Sequence, residues 1–218
     1  MFNSPLTSVF FILLFALSPI YGTFEYMQLV LQWPTAFCHT TACTIIPTNF
    51  TIHGLWPDNV STMLNYCEGR KNKYDSITDD KRKSDLYEHW PDLIIDKADC
   101  LDHQNFWEHE YNKHGTCCLP SYNQEQYFNL ALALKDKFDL LTSLRSHGII
   151  PGTQYTVQRI NRTIKAVTQG YPNLSCTKGI TMELLEIGIC FDSRVKKVID
   201  CPHPKTCKPF RNQAITFP

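Results

Sequence analysis

The apolar positions along the chain change period several times, and each change predicts an element. Residues 9–17 (VFFILLFAL) are apolar without interruption. The run is too short to span a bilayer and is followed by Ser-Pro and a small residue, the make-up of a secretory leader cut after Gly22. Residues 24–32 of TFEYMQLVLQWP alternate well enough for a first strand, which Pro34 ends. NFTIHGLWP reads as a second strand, broken by Gly54 and Pro57. Over residues 123–148, Tyr127, Ala131, Leu134, Phe138 and Leu141 recur at helical spacing and Gly148 is a stop, which predicts one long helix. A second helix carries Val157, Ile160, Ile164 and Val167. MELLEIGICFD and RVKKVIDC read as late strands. The pattern predicts an α+β fold: a single mature domain over 23–218 with a central antiparallel sheet packed by helices. No later segment is apolar enough for a membrane.

Composition sharpens this picture at two points. All ten cysteines (38, 43, 67, 100, 117, 118, 176, 190, 201 and 207) follow the leader, an even number suited to an oxidising compartment and a disulfide-stapled domain. Four sequons at Asn49, Asn59, Asn161 and Asn173 point the same way, toward a secreted glycoprotein. The charge is balanced at 21 basic and 21 acidic residues. That argues against a constitutive nucleic-acid binder, which carries a basic excess, but leaves room for an enzyme that needs only a local phosphate site.

The densest chemistry lies at FWEHEYNKHGTCC, residues 106–118. On a helix turning about 100° per residue, His109, Glu110, Lys113 and His114 share an arc of roughly 140°. The spacing does not fit H-E-x-x-H zinc binding, because Lys113 stands four after His109 and His114 one step further. A solvated charged face is the bland alternative. A second histidine motif argues against it: FTIHGLWPDN, residues 50–59, sets His53 among apolar and aromatic neighbours, beside Gly54 for close backbone approach and Trp56 as a stacking surface. Two imidazoles titrating near neutrality can serve as base and acid in one turnover, which suits cleavage of a phosphodiester.

FTIHGLWPDN and FWEHEYNKHGTC resemble the two active-site motifs of the T2 family of secreted acid ribonucleases, over nearly the whole mature chain. NFTIHGLWPDN, KHGTCC, LKDKFDLL and EIGICF resemble more closely the S-RNases, the style-expressed self-incompatibility ribonucleases of the nightshade family. The resemblance implies attack of a ribose 2′-hydroxyl on the adjacent phosphorus to give a 2′,3′-cyclic phosphate, with no cofactor and no metal. His114 would accept the 2′-hydroxyl proton and His53 would donate one to the leaving 5′-oxygen. Residues alone do not say which histidine plays which part. Glu110 and Lys113 would stabilise the pentacovalent phosphorus and His109 would help bind phosphate. Gln32 matches a position beside the second base site, and Trp56 and Asp58 match positions near the first. Trp33 is read as a core residue.

The resemblance further implies the disulfides Cys38–Cys43, Cys67–Cys117, Cys176–Cys207 and Cys190–Cys201, leaving Cys100 for Cys118. It implies a monomer with an RNA substrate, secreted into the style transmitting tract and taken up by pollen tubes, where pollen F-box proteins of a ubiquitin ligase are its partners. It places two allele-distinguishing segments at residues 69–83 and 89–100. The first is so polar that it is expected to add little to the core. The alternatives are a general extracellular or vacuolar ribonuclease for phosphate scavenging or defence, and a binding module on an inactive scaffold. The intact His53, Glu110, Lys113 and His114 oppose the last.

Overall fold

The computed structural model describes residues 24–69, 73–179, 181–203, 207 and 214–218. The expected leader over 1–22 lies outside them, as do positions 70–72 of the polar segment 69–83. In chain order the elements are β1 (Tyr26–Gln32), α1 (Pro34–Cys38), β2 (Thr51–Asp58), α2 (Asp80–His89), α3 (Lys97–His103), α4 (Asn105–Lys113), α5 (Gln124–Lys137) and α6 (Leu140–Ser146). There follow β3 (Thr153–Thr156), α7 (Val157–Thr168), β4 (Asn173–Cys176), β5 (Leu184–Asp192), β6 (Val198–Ile199) and β7 (Ala214–Phe217). No described helix is long and apolar enough to cross a membrane.

The main sheet is antiparallel in the order β2-β1-β5-β4, with β6 added to β5. Its central strand β1 is buried at all seven positions, so both faces are covered. Alternation then sorts its side chains. Met27, Leu29 and Leu31 join the hydrophobic core with Leu55, Ile187 and Ile189 of the neighbouring strands. Gln28 and Gln32 are equally buried but lie on the opposite face, with Trp56 and Glu186 as lateral neighbours. That second face carries the chemistry. β3 and β7 form a small separate sheet, whose Phe217 packs edge-on against Trp33 and stacks on Phe50. Trp33 is thus a core residue.

The long helix expected over 123–148 is two helices. Asn123 and Gln126 close a capping box at the start of α5, and the apolar stripe runs on as expected. The chain leaves helical geometry at Phe138, and Asp139 accepts a hydrogen bond from the Thr142 amide to start α6. Such a cap contributes about 0.5–2 kcal/mol, enough to make a second start competitive with continuation. Gly54 and Pro57, expected to break the second strand, both lie within β2.

Four disulfides are formed, Cys38–Cys43, Cys67–Cys117, Cys176–Cys207 and Cys190–Cys201. The expected Cys100–Cys118 bridge is not. Both are buried thiols in different neighbourhoods: Cys100 in α3 beside Asp92 and Tyr87, Cys118 among Tyr111, Tyr122 and Tyr127. Burial pushes both thiols above their ordinary pKa, so each behaves as a small apolar side chain. The polar segment 69–83 also differs from expectation. Tyr74 is buried in the core and its hydroxyl donates to Gln104 Oε1 at 2.5 Å.

Candidate active site

His53 owes its position to a β-bulge. Val30 pairs with Gly54 and Leu31 with Ile52, so His53 is the extra residue on β2. A bulge re-aims its side chain. The displaced backbone is held by Trp90, whose indole N–H donates to the His53 carbonyl oxygen at 3.0 Å, and Trp107 in turn donates to the Trp90 carbonyl at 2.8 Å. Both tryptophans are fully buried. The imidazole Nδ1 lies 2.5 Å from Glu186 Oε1 on β5. With Nδ1–H donating to that carboxylate, Nε2 is the edge left for a ligand.

The second half of the site comes from α4 and the turn that follows it. Trp107, Glu110 and Tyr111 form the buried face of α4, and His114 caps its C-terminus, its amide donating to the Glu110 carbonyl at 2.9 Å. The Tyr66 amide donates to the Lys113 carbonyl at 2.7 Å, and the Cys67–Cys117 bridge closes the same junction. The C-terminal end of α4 is therefore fastened to the loop after β2.

Trp56 joins the two halves. Its indole stacks on the His114 ring, centroids 5.1 Å apart, and meets the His53 ring edge-on at 5.2 Å. Its N–H donates to Glu110 Oε2 at 3.0 Å. Gly54 makes this possible: a Cβ there would overlap both the Trp56 indole and the Glu110 carboxylate. His53, Trp56, Asp58, Lys113, His114 and Gln28 line one cleft of about 250 Å³. A neighbouring groove of about 270 Å³ continues from Gln28 and Asp58 toward Tyr26, Asn173 and His203.

The electrostatics divide the roles. Burial works against charge on His53, but the Glu186 carboxylate, by hydrogen bond and by field, and then Glu110 outweigh it and hold the imidazole above its ordinary pKa. Burial pushes Glu110 up, opposed by His53, the Trp56 N–H, His109 and Lys113. Burial and then the Asp58 carboxylate push Tyr26 up to about 12, so its hydroxyl stays a donor. The site thus sets an imidazole whose charged form is favoured beside a buried carboxyl, Lys113 and a second imidazole.

Most of the residues expected from sequence meet here. His109 is exposed on α4 and acts on Glu110 only through its field. Gln32 is buried on the cleft face of β1, between Thr51 and Glu186. Asp58 Oδ1 accepts from the Asn59 and Leu64 amides, both at 2.9 Å, which shapes the loop below the cleft. Asn173 is 5 % exposed within β4 and borders the neighbouring groove. Asn49 is exposed, and Asn59 and Asn161 are half-buried. Glu186 and Gln28 were not among the expected residues, although a glutamate at an inward position of the apolar strand LLEIGICFD is a visible signal.

The Ribonuclease T2 family matches residues 24–201. Ribonuclease S-7 of Nicotiana alata is 73% identical over the full length of both chains, and Ribonuclease S-2 of Nicotiana alata 63%. The solved SF11-RNase of Nicotiana alata, described as associated with gametophytic self-incompatibility, superposes with a TM-score of 0.83 at 46% identity, covering 89% of this chain and 98% of that one. Ribonuclease MC1 from bitter gourd seeds superposes at 0.76 with 30% identity, covering 89% of this chain and all of that one. The chain belongs to the Ribonuclease T2 family and is an endoribonuclease.

Proposed function

We propose that this endoribonuclease is a secreted S-RNase of pistil self-incompatibility that cuts single-stranded RNA by transphosphorylation. His114 takes the proton of the ribose 2′-hydroxyl as it attacks phosphorus. His53 protonates the departing 5′-oxygen, leaving a 2′,3′-cyclic phosphate. The observation that carries this division is the Nδ1 contact of His53 with Glu186, 2.5 Å, which favours the imidazolium and suits a proton donor. Lys113 and Glu110 stabilise the charge of the pentacovalent phosphorus, worth several kcal/mol in a pre-organised site. Trp56 offers a face on which a base stacks, and such stacking tolerates any base.

The biological reading draws on the full-length identity to Nicotiana alata S-RNases. The protein accumulates in the style transmitting tract, enters pollen tubes and degrades RNA in those carrying the matching allele. Pollen F-box proteins of a ubiquitin ligase are its partners, and it acts as a monomer. The test combines activity with place. His53→Asn and His114→Asn proteins are assayed on RNA with chelator present, and the tissue of accumulation is mapped. Activity that survives both substitutions would overturn the mechanism, and accumulation in leaf or root rather than style would favour scavenging or defence.

A further inference from the structure

A second cleft, about 420 Å³ in volume, opens away from the catalytic residues between the start of β2 and the ends of α2 and α5. Its size lies within the range of about 300–1,000 Å³ typical of small-ligand pockets. Two polar groups in its lining make no hydrogen bond or ion pair among the described residues. Thr51 is 2 % exposed and its hydroxyl makes no hydrogen bond. Lys135 is 6 % exposed, its stem packed in α5, and its ammonium meets only the fields of Asp139 and Asp136, with no hydrogen bond or ion pair to a described residue. A buried donor left unmade costs free energy, and valine would fill the place of Thr51 without that cost. The Thr51 hydroxyl is thus the buried group left unpaired, and the Lys135 ammonium borders the same cleft.

The charges narrow the occupant. Glu88, Asp136 and Asp139 face Lys135 and His89 across the same cleft, so a free anion meets an acidic majority and a cation meets an embedded ammonium. A neutral ligand rich in both donors and acceptors fits: a sugar, whose hydroxyls donate to the carboxylates and whose acetamido oxygen accepts from the amine. The chain brings such a ligand within reach. Asn49 stands on the rim, exposed, its Oδ1 held by the Phe50 amide at 2.8 Å, which fixes the side chain and leaves Nδ2, the atom that glycosylation uses. Thr51 is the third residue of that same sequon, which explains a hydroxyl where the folded strand has no use for one.

We propose that this cleft seats the first N-acetylglucosamine of an N-linked glycan on Asn49. The sugar is thereby part of the folded structure, joining the entry to β2 to the end of α5.

The test uses the whole protein secreted from yeast, with the other three sequons silenced by Ser61→Ala, Thr163→Ala and Ser175→Ala. Endoglycosidase trims the Asn49 chain to a single N-acetylglucosamine. Asn49→Gln supplies the bare form. The intact and single-sugar forms should share one Tm, and the bare form should melt several degrees lower, with faster amide exchange at residues 48–51 and 135–139. Lys135→Met should shrink that difference. In the unsubstituted protein, the Lys135 ε-methylene NMR signal should shift between the single-sugar and bare forms. An Asn49 peptide without sugar, or equal melting together with an unmoved Lys135 signal, would overturn the proposal.

Discussion

Glu186 Oε1 stands 2.5 Å from His53 Nδ1, joining β5 to the bulge of β2 across the intervening strand β1. The glutamate reaches the reaction only through the imidazole, which makes it a positioning residue. Glu186→Gln keeps the shape and removes the charge, so His53 loses the partner that raises its pKa. A proton donor must be protonated, and the alkaline limb of the kcat–pH profile should move to lower pH. Activity at the acid side should be largely retained. An unmoved limb would deny Glu186 this role.

The same pair links pH to stability. The folded pKa of His53 is raised above the ordinary value of about 6.5. The stabilisation from its pairing is therefore complete below about pH 6.5 and is lost as pH rises through the folded value. Thermal melts of the parent and Glu186→Gln proteins should differ most at acid pH and converge as pH rises past the folded pKa of His53.

Replacing either imidazole removes one proton transfer. His53→Asn and His114→Asn should each lower kcat about 10²–10⁴-fold, the range of general acid–base catalysis. Lys113→Ala removes charge stabilisation only, and its loss should be smaller than that of either histidine. Steady-state cleavage of a dinucleotide, with circular dichroism to verify folding, separates these cases.

Gly54 is where backbone and site touch. An added Cβ meets the Trp56 indole and the Glu110 carboxylate, and the tryptophan is the common neighbour of both histidines. Misplacing catalytic groups by about 1 Å can cost about 10²-fold, and Gly54→Ala should lose activity on that order. The Trp56 fluorescence should change with it. Full activity in Gly54→Ala would show that the Trp56–Glu110 contact is dispensable.

How far sequence reached depended on whether the signal was local. The two histidine motifs are contiguous, so His53, Trp56, Glu110, Lys113 and His114 were legible from spacing and from resemblance. Glu186 joins His53 only through strand register, 133 residues away, and no local pattern encodes that. The expected Cys100–Cys118 bridge rested on what the other pairings left over, whereas tertiary packing gives the two thiols separate neighbourhoods. The split between α5 and α6 was concealed because Asp139 caps a new helix without interrupting the apolar stripe. Tyr74 was missed because one buried aromatic in a polar run has no periodicity to announce it.

The Cys67–Cys117 bridge ties the end of α4 to the loop after β2, beside the Tyr66–Lys113 hydrogen bond. Cys67→Ala should cost about 2–5 kcal/mol of stability, as loss of a native bridge commonly does, and should lower activity as well. Denaturant titration checks the first and RNA cleavage the second. In the same titration, Cys100 and Cys118 of the parent protein should react with a thiol reagent only as the chain unfolds, since both are buried.

Allele recognition, under the proposed self-incompatibility role, must be read from side chains that reach the surface. Within 69–83 and 89–100, Tyr74, Trp90, Leu93 and Cys100 belong to the core, so a block exchange would confound specificity with folding. The exposed set includes Asp75, Ser76, Lys81, Ile94, Lys97 and Asp99. The basic run 81–83 is already paired within the protein: Lys81 with Asp85, Arg82 with Glu125 and Lys83 with Asp80. These are solvent-screened surface pairs that add little to stability, and a partner can compete for them. Exchanging only the exposed positions of both segments for those of another S-RNase should change which pollen is rejected while RNA cleavage and Tm stay at the parent values. Charge reversal at Lys81, Arg82 and Lys83 should slow association with pollen F-box proteins, an effect that shrinks as salt screens it. Retention of the original pollen specificity after the exchange would place recognition on another face.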